Sequence, residues 1–471
     1  MFEKIKNFSF LFIFLILMFL LETILTSTTI TKSSVNINKN GHVNNVNNGS
    51  NGWKLPSTKT RQRISAYLDQ YAKDHHIPCL LSGYQVYTRE GQQQSGQRWI
   101  HSNVDGYADI ENQVKCDSTK TILKVSSVTK PITAALVASL IEDGRLNWTD
   151  DINKYLSESI FHKKSWKDSS QVNTTVPMTL ANIASQHAGL RQSNNHDYLH
   201  DMDQYSNTTE TLKLFSQDPL IAKPGSKFTY SNFGSTLLGA VVEAVEQRSF
   251  HLVMNDFLRN KLHMNVAKSY TRAEMFPHLG TQYQVVMVTN SSDLTHHQVP
   301  VTMHAPSMDN QRPYPHWPCC SVVATIDDVI TFGDQMLRSY RGWSSDNNSN
   351  NSTSRSGTFL HSKTVQTIWN YKSQTNDGTS SITINSNRYT DLHHQYVLGW
   401  NRIDFPEDKN SSPLSKLVMV SHVGSMDSAN AIVAVFPEVG MVFGAIANRG
   451  GAGDLESLAV QIYYMIATSE L

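Results

Sequence analysis

The first residues that suggest chemistry lie in the segment SSVTKPITAAL, residues 126–136. Ser127 stands three residues before Lys130, and Pro131 directly follows the lysine. Because proline lacks a backbone N–H, it is tolerated in the first turn of a helix, which predicts a helix that begins near Ser127. Lys130 would lie one turn away on the same face. The Ser127 hydroxyl would lie at the positive end of the helix dipole, which stabilises an oxyanion.

This segment has two interpretations. In the first, Ser126 or Ser127 caps the helix and Lys130 is solvated, since serine is a common capping residue and S-x-x-K matches arise by chance. In the second, Ser127 is a nucleophile and Lys130 is its base, because a serine needs an adjacent base and partial burial favours a neutral lysine. Taken alone, the segment favours the cap.

A second stretch, KPGSKFTYSNFGSTLLGAVVEAV at residues 223–245, offers partners for such a serine. Tyr230 and Asn232 lie in a loop that runs into an apolar helix. A phenol relays a proton between a nucleophile and a leaving group, and an Asn side chain holds a substrate amide. The alternative is that the two residues are a packed aromatic and a helix cap.

A third stretch, VSHVGSMDSANAIVAVFPEVG at residues 420–440, places His422, Gly424 and Ser425 at the end of a predicted strand. A glycine lets the backbone approach a substrate closely, and the Ser425 N–H would be an oxyanion donor beside that of Ser127. Taken by itself, His422 is more simply a strand-end histidine.

The ordered motifs SVTK, YSN and HVG resemble the S-x-x-K, Y-x-N and K/H-x-G motifs of the serine β-lactamase and penicillin-binding-protein superfamily. The chain most resembles the class C-like branch and, within it, the β-lactamase-like proteins of animal mitochondria. The similarity extends over roughly residues 60–465. The resemblance implies an α+β fold, in which an antiparallel sheet flanked by helices adjoins a mostly helical lobe, with the site between them.

The resemblance implies a hydrolase that forms an acyl-enzyme. Ser127 would be the acylated nucleophile, Lys130 the base that activates it, and Tyr230 the proton relay. The implied substrate is a peptide or an ester, and neither a cofactor nor a metal ion is implied. A hypothesis from a different class is a non-catalytic scaffold protein that retains the fold and assembles into homo-oligomers.

The resemblance also implies the groups that bind the substrate. Asn232 would hold a substrate amide, and the backbone N–H groups of Ser127 and Ser425 would form the oxyanion hole beside Gly424. His422 takes the place of a lysine that faces a substrate carboxylate. Because a neutral imidazole binds a carboxylate less firmly, little penicillin turnover is expected.

Besides His422, the sequence departs from the pattern of this family at three further places. Ser126 stands where family members commonly have a glycine, and Gln186 in the stretch IASQHAG stands where they usually have a histidine. A glycine-rich loop at the rim of the site aligns with PCCS, residues 318–321. None of these departures removes a catalytic group, but the last is expected to reshape the pocket.

The whole chain carries a formal net charge of +0, so no general attraction to nucleic acid is expected. The N-terminus differs from the rest of the chain in composition. Two lysines precede an apolar run of signal-peptide length at residues 8–21. We predict a signal peptide or signal anchor over residues 1–27 and a flexible linker over 28–57. This prediction places the protein in the secretory pathway, extracellular or lumenal, with residues 8–21 as the membrane anchor if they are not cleaved. A mitochondrial presequence would be Arg-rich, whereas the first arginine is Arg61.

Two further features are consistent with a secreted protein. Sequons provide four glycosylation candidates, namely Asn147, Asn173, Asn207 and Asn290. Four cysteines fit an oxidising compartment, and Cys79 and Cys116 are candidates to pair. A ring between the adjacent residues Cys319 and Cys320 would be strained.

Hydrophobic periodicity predicts the elements that position these motifs. The predicted helices are KTRQRISAYLDQYAKDHH, ITAALVASLIEDGRL, STLLGAVVEAVEQ and LESLAVQIYYMIA. The predicted strands are LLSGYQVYT, a stretch near WIHSNVDGYADI, YVLGWNRI, LVMVSHVG, AIVAVFPE and MVFGAIAN, and EGQQQSGQ is predicted to be a turn. Strands at both ends with helices between them predict one shared sheet in a domain over residues 58–471, with a low-complexity insertion at 344–357.

Overall fold

A computed structural model gives the architecture of the chain. It describes residues 55–90, 93–158, 165–167, 173–175, 177–193, 197, 205–270, 276–289, 298–304, 317–343, 358–373, 378–408 and 412–469. The predicted signal segment, most of the predicted linker, Asn290 and the predicted insertion at 344–357 lie outside these residues. None of the helices in the described ranges is both long enough and apolar enough to cross a membrane.

The described chain contains runs of strands and runs of helices, as is typical of an α+β protein. The strands are β1 (Leu80–Glu90), β2 (Gln93–Ser102), β3 (Tyr107–Asp109), β4 (Val114–Lys115), β5 (Leu123–Lys124), β6 (Ser165–Lys167), β7 (Asn173–Thr175), β8 (Lys268–Ser269), β9 (Tyr283–Thr289), β10 (Gln298–His304), β11 (Val322–Ala324), β12 (Thr379–Ile384), β13 (Asn387–Tyr396), β14 (Asn401–Asp404), β15 (Val418–Met426), β16 (Ala429–Phe436) and β17 (Met441–Ala447). The helices are α1 (Thr58–Asp74), α2 (Thr129–Glu142), α3 (Leu180–Ala184), α4 (Asn232–Glu246), α5 (Phe250–Asn260), α6 (Trp317–Cys320), α7 (Ile326–Arg341), α8 (Ser362–Trp369) and α9 (Leu455–Ala467).

An antiparallel sheet of eight strands is the frame of the fold, in the order β12-β13-β14-β15-β16-β17-β1-β2. β1 pairs with β17 from Leu80↔Ala447 to Val86↔Met441. The strands from both ends of the domain therefore share one sheet, as predicted, and the first strand lies beside the last. Side chains alternate between the two faces of the sheet. On β16, for example, Phe436 packs in the core that includes α1 and α9. Its neighbour Val435 packs in the larger core on the other face, which includes α2, α4 and α7.

Two predicted elements differ from the structure. EGQQQSGQ is not a turn as a whole, because β2 already begins at Gln93. YVLGWNRI is not one strand, because β13 ends at Tyr396 and β14 begins at Asn401. The reason is the close packing of this turn on α2: a Cβ at Gly399, where φ is +80°, would lie 2.6 Å from the Ala134 Cβ. The chain must therefore bend here to pass the helix.

The cysteines are paired in the structure. Cys79, directly before β1, is joined to Cys116 after β4. Cys319 and Cys320 are also joined to each other, a pairing that the sequence alone argued against. These two adjacent cysteines end α6, in the segment that precedes β11.

Candidate active site

The predicted nucleophile follows a short strand and a tight turn. β5 pairs with β11, and the Val125 N–H donates to the Val322 carbonyl at 3.0 Å. A 3₁₀ turn over Ser126–Val128 then leads into α2 at Thr129. The helix therefore begins in the predicted interval, with its proline in the first turn.

Neither serine caps this helix. No side chain of the described residues makes a capping hydrogen bond at the start of the 3₁₀ turn or of α2, so the first interpretation is wrong. Thr129 fastens the turn instead, because its hydroxyl donates to Ser126 O at 2.7 Å and accepts from Val322 N at 3.2 Å. Ser126 has a φ of 49°, a left-handed conformation that glycine adopts more readily.

Lys130 lies within hydrogen-bonding distance of the predicted nucleophile. Its Nζ is 2.9 Å from Ser127 Oγ and 2.8 Å from Asn232 Oδ1. The lysine is 2% exposed, and this burial lowers the pKa of its ammonium group well below the usual value. A neutral amine donates to Asn232 and keeps a lone pair for the Ser127 proton. The second interpretation therefore has the geometry that it requires.

Tyr230 and Asn232 lie beside this pair. α4 begins at Asn232, whose Nδ2 donates to Ser193 Oγ at 3.3 Å. The centroid of the Tyr230 ring is 4.8 Å from Lys130 Nζ. The structure thus brings together four of the predicted site residues, which come from two segments about 100 positions apart in the sequence.

Gly424 brings β15 into contact with the nucleophile segment. A Cβ built at this position would lie 2.2 Å from Val125 O and 3.1 Å from Ser127 N, so only glycine allows the strand to approach so closely. Ser425 follows it on the strand and is exposed. Because strand and turn touch here, the backbone of Ser425 lies near that of Ser127, as an oxyanion hole formed by their two N–H groups requires.

His422 is on the same strand but is buried, at 2% exposure. Its Nδ1 is 2.9 Å from Val423 O, and its Nε2 is 2.9 Å from the Tyr396 hydroxyl. Burial is the main cause that lowers the pKa of His422, to about 3. The imidazole is therefore neutral near pH 7, and both of its nitrogens contact protein groups.

Tyr396 was missed in the sequence, and Gln186 was noted only as a departure from the family pattern. Tyr396 is buried, and its hydroxyl is hydrogen-bonded to the Gln186 side chain as well as to His422. No motif marks Tyr396, because its partners lie 26 and about 210 positions away in the sequence. Its place at the end of β13, directly before the turn on α2, is what gives it access to the site.

The remaining candidates lie away from this cluster. Asn147 is exposed, Asn207 is partly exposed and Asn173 begins β7. In the described ranges, no three His, Cys, Asp or Glu residues are grouped so that they could hold a metal ion.

Comparison with known proteins identifies related sequences. The family model described as Beta-lactamase matches residues 64–463. The human protein "Serine beta-lactamase-like protein LACTB, mitochondrial" is 22% identical over 391 residues, which cover 71% of this chain and 65% of that protein. The chain therefore aligns with slightly less than two thirds of the length of this relative.

Solved structures have the same fold. A class C β-lactamase superposes with a TM-score of 0.58 at 14% identity, covering 88% of this chain and 98% of that chain. EstCE1, a hydrolase with promiscuous acyltransferase activity, gives 0.60 at 17% identity, covering 87% and 98%. The octameric penicillin-binding protein homologue from Pyrococcus abyssi gives 0.56 at 15% identity, covering 87% and 77%. The architecture is thus β-lactamase/transpeptidase-like.

The comparisons correct the predicted location. The prediction of the secretory pathway is wrong, since the curated relatives from human, mouse and cattle are named as mitochondrial proteins. The prediction rested on an apolar N-terminal run that follows two lysines and on the absence of arginine before Arg61. The sequons were cited as consistent with that location, and glycosylation at them stays a prediction.

Proposed function

Because the chain belongs to the β-lactamase family, we propose that it is a serine hydrolase that cleaves a peptide or an ester through an acyl-enzyme on Ser127. One observation carries this proposal: the buried amine of Lys130 lies 2.9 Å from Ser127 Oγ. A scaffold has no need of a desolvated lysine beside a serine, because burial of an unpaired charge is costly. A general base needs both burial and this distance.

Acylation follows from the positions of four groups. Ser127 Oγ attacks the carbonyl carbon of the substrate while its proton moves to Lys130 Nζ. The negative charge on the carbonyl oxygen meets the N–H groups of Ser127 and Ser425 at the positive end of α2. When the bond to the alcohol or amine breaks, the proton passes through the Tyr230 hydroxyl to that leaving group, and the acyl group remains on Ser127.

Deacylation reverses these roles. A water molecule loses a proton to Lys130 Nζ as its oxygen attacks the acyl carbon. The C–Oγ bond then breaks, Ser127 Oγ takes the proton back, and the substrate leaves as a carboxylic acid. The enzyme returns to its starting state without any added oxidant or reductant.

A fluorophosphonate probe tests the proposal, because it forms a bond only with an activated serine. We expect the full chain to be labelled and the Ser127→Ala variant to remain unlabelled. Ser126→Ala is the matched control, since it removes the adjacent hydroxyl and should label like the native chain. Equal labelling of native protein and Ser127→Ala, or none in either, would contradict the proposal.

Assembly into homo-oligomers is a second candidate property, and it is the core of the scaffold hypothesis. The solved homologue from Pyrococcus abyssi is octameric. The two-stranded ribbon of β9 and β10 also exposes three apolar side chains, namely Met287, Val301 and Met303. Exposed apolar groups of this kind favour association. Light scattering of native protein and of Ser127→Ala would test this, and a monomer in both would contradict it.

A further inference from the structure

A directed chain of hydrogen bonds lies behind Tyr230. The Ser231 N–H donates to Gln186 Oε1 at 2.8 Å, so the amide nitrogen of Gln186 is the donor to the Tyr396 hydroxyl. The Tyr396 oxygen is in turn 2.9 Å from His422 Nε2. The side chains of Gln186, Tyr396 and His422 each use a donor and an acceptor in this series of hydrogen bonds, which fixes their orientations.

This series of hydrogen bonds determines the tautomer of His422. The carbonyl oxygen of Val423, 2.9 Å from Nδ1, can only accept, so Nδ1 carries the proton. Nε2 then has only a lone pair, and it accepts a hydrogen bond from the Tyr396 hydroxyl. The ring is neutral and has no N–H left to direct at a substrate.

Two departures from the family pattern are therefore physically joined. Gln186 stands at a usual histidine position and His422 at a usual lysine position, and the Tyr396 hydroxyl binds both. Together they replace a cation with a neutral, internally bonded group.

The neighbouring arginine does not supply the missing charge. The guanidinium of Arg191 is within 2.9 Å of both Asp197 oxygens and 2.7 Å from an Asp218 oxygen. Two carboxylates thus already neutralise it.

We infer that this acyl site selects neutral esters or amides, whose leaving group carries no carboxylate, and that Tyr396 is the positioning residue that makes His422 unable to bind one. The inference rests on the proposed function, since it concerns the leaving group of the same reaction. A carboxylate placed at His422 would lose its hydration and gain no charged donor in exchange.

A pair of matched esters tests the inference. The phenylacetyl ester of 3-hydroxybenzoate carries a carboxylate on its leaving group, and the phenylacetyl ester of methyl 3-hydroxybenzoate does not. We expect native protein to hydrolyse the methyl ester with a kcat/KM about 10-fold or more above that for the charged ester, the range of one hydrogen bond to a charged group. Equal values or a preference for the charged ester would overturn the inference.

The His422→Lys variant tests the assigned cause. Its ratio of charged-ester to neutral-ester kcat/KM should rise by about 10-fold or more, because an ammonium group now faces the carboxylate. His101→Lys is the matched control, since His101 lies on β2 and faces Asp69. An unchanged ratio in a folded His422→Lys protein would overturn the inference. If this variant does not fold, the ratio of the two kcat/KM values measured with native protein is the test.

The role of Tyr396 has a spectroscopic test. NMR of histidine-labelled native protein should show Nδ1 protonated and Nε2 unprotonated at neutral pH, and Tyr396→Phe should shift the Nε2 resonance. Tyr463→Phe is the matched control, because the Tyr463 hydroxyl is also buried but donates to Pro413 O at 2.6 Å. A protonated Nε2 in native protein, or spectra unchanged by Tyr396→Phe, would overturn the inference.

Probe labelling separates the two possible failures. If Ser127 is not labelled, the proposed function and the substrate inference both fail. If Ser127 is labelled but the charged ester is preferred, only the inference fails.

Discussion

The two sides of the candidate site differ in how far they follow the family pattern. On the nucleophile side, Ser127, Lys130 and Gly424 have the residue types of the motifs and the contacts that acyl transfer requires. On the far side, Gln186 and His422 depart from the pattern and are joined through Tyr396. The chemistry of bond cleavage and the recognition of the substrate can therefore change independently on one fold.

Removal of the base is predicted to impair the nucleophile side most strongly. Lys130→Met should lower the rate of probe labelling by about 10²–10⁴-fold, the usual contribution of a general base. The same variant should keep or raise the free energy of unfolding, because it removes a buried group whose charged form is disfavoured. Labelling rates and denaturant unfolding measure the two effects. Unchanged labelling would contradict the role of Lys130 as the base. If labelling falls only because the variant is correspondingly less stable, the role of the lysine is structural.

The contact between β15 and the 3₁₀ turn before α2 is expected to have the next largest influence on labelling. Gly424→Ala inserts a Cβ that would lie 2.2 Å from Val125 O, so the strand must move away from Ser127. We expect labelling to fall by about 10²-fold, since a displacement of about 1 Å has this cost in catalysis. Gly234→Ala is the control, because its nearest contact is an ordinary 3.5 Å. Equal labelling by both variants would contradict the assigned role of Gly424.

On the far side, the buried imidazole of His422 should make the free energy of unfolding depend on pH. The pKa of His422 is about 3 in the folded protein and near 6.5 when unfolded, so its contribution to stability is complete above pH 6.5. As the pH falls from 6.5 toward 3, the unfolded state binds the proton and the folded state does not. The contribution then falls by about 1.4 kcal/mol per pH unit. The difference between native and His422→Gln unfolding profiles isolates this slope from Lys130, Tyr230 and Tyr396. Parallel profiles would contradict a buried neutral imidazole.

A smaller change is expected from Ser126, a departure from the family pattern on the nucleophile side. Ser126 has a left-handed φ of 49°, and its buried Oγ has no hydrogen-bond partner among the described residues. Ser126→Gly should therefore raise the free energy of unfolding by about 1 kcal/mol, because relief of strain exceeds the added entropy of the unfolded glycine. Thermal unfolding measures this change, with labelling expected to stay near native. A destabilised Ser126→Gly protein would show that the serine side chain supports the turn.

Much of the fold follows from local sequence, whereas part of the site does not. Pro131 located the start of α2, and the periodicity of Ile64, Leu68 and Tyr71 located α1, because both signals act within a few residues. The shared sheet followed from the positions of apolar runs. The bend at Gly399 was missed because it depends on contact with a helix far away in the sequence.

The candidate site shows the same limit. Ser127 and Lys130 are one turn apart, so their meeting is visible in the sequence. Tyr396 meets Gln186 and His422 only through tertiary packing, and no spacing rule reports such a contact. The location was predicted wrongly for a different reason, since a targeting segment is recognised by composition and not by folded contacts.

The order of strands in the sheet also constrains how the protein is made. β1 lies between β2 and β17, so the hairpin of β1 and β2 leaves the ribosome long before its second neighbour is synthesised. During that interval, one edge of β1 has no strand to pair with, and unpaired edges favour aggregation. Closure of the sheet must be a late, long-range step, which slows folding. The first hairpin therefore keeps an unpaired edge until the last strand has been synthesised.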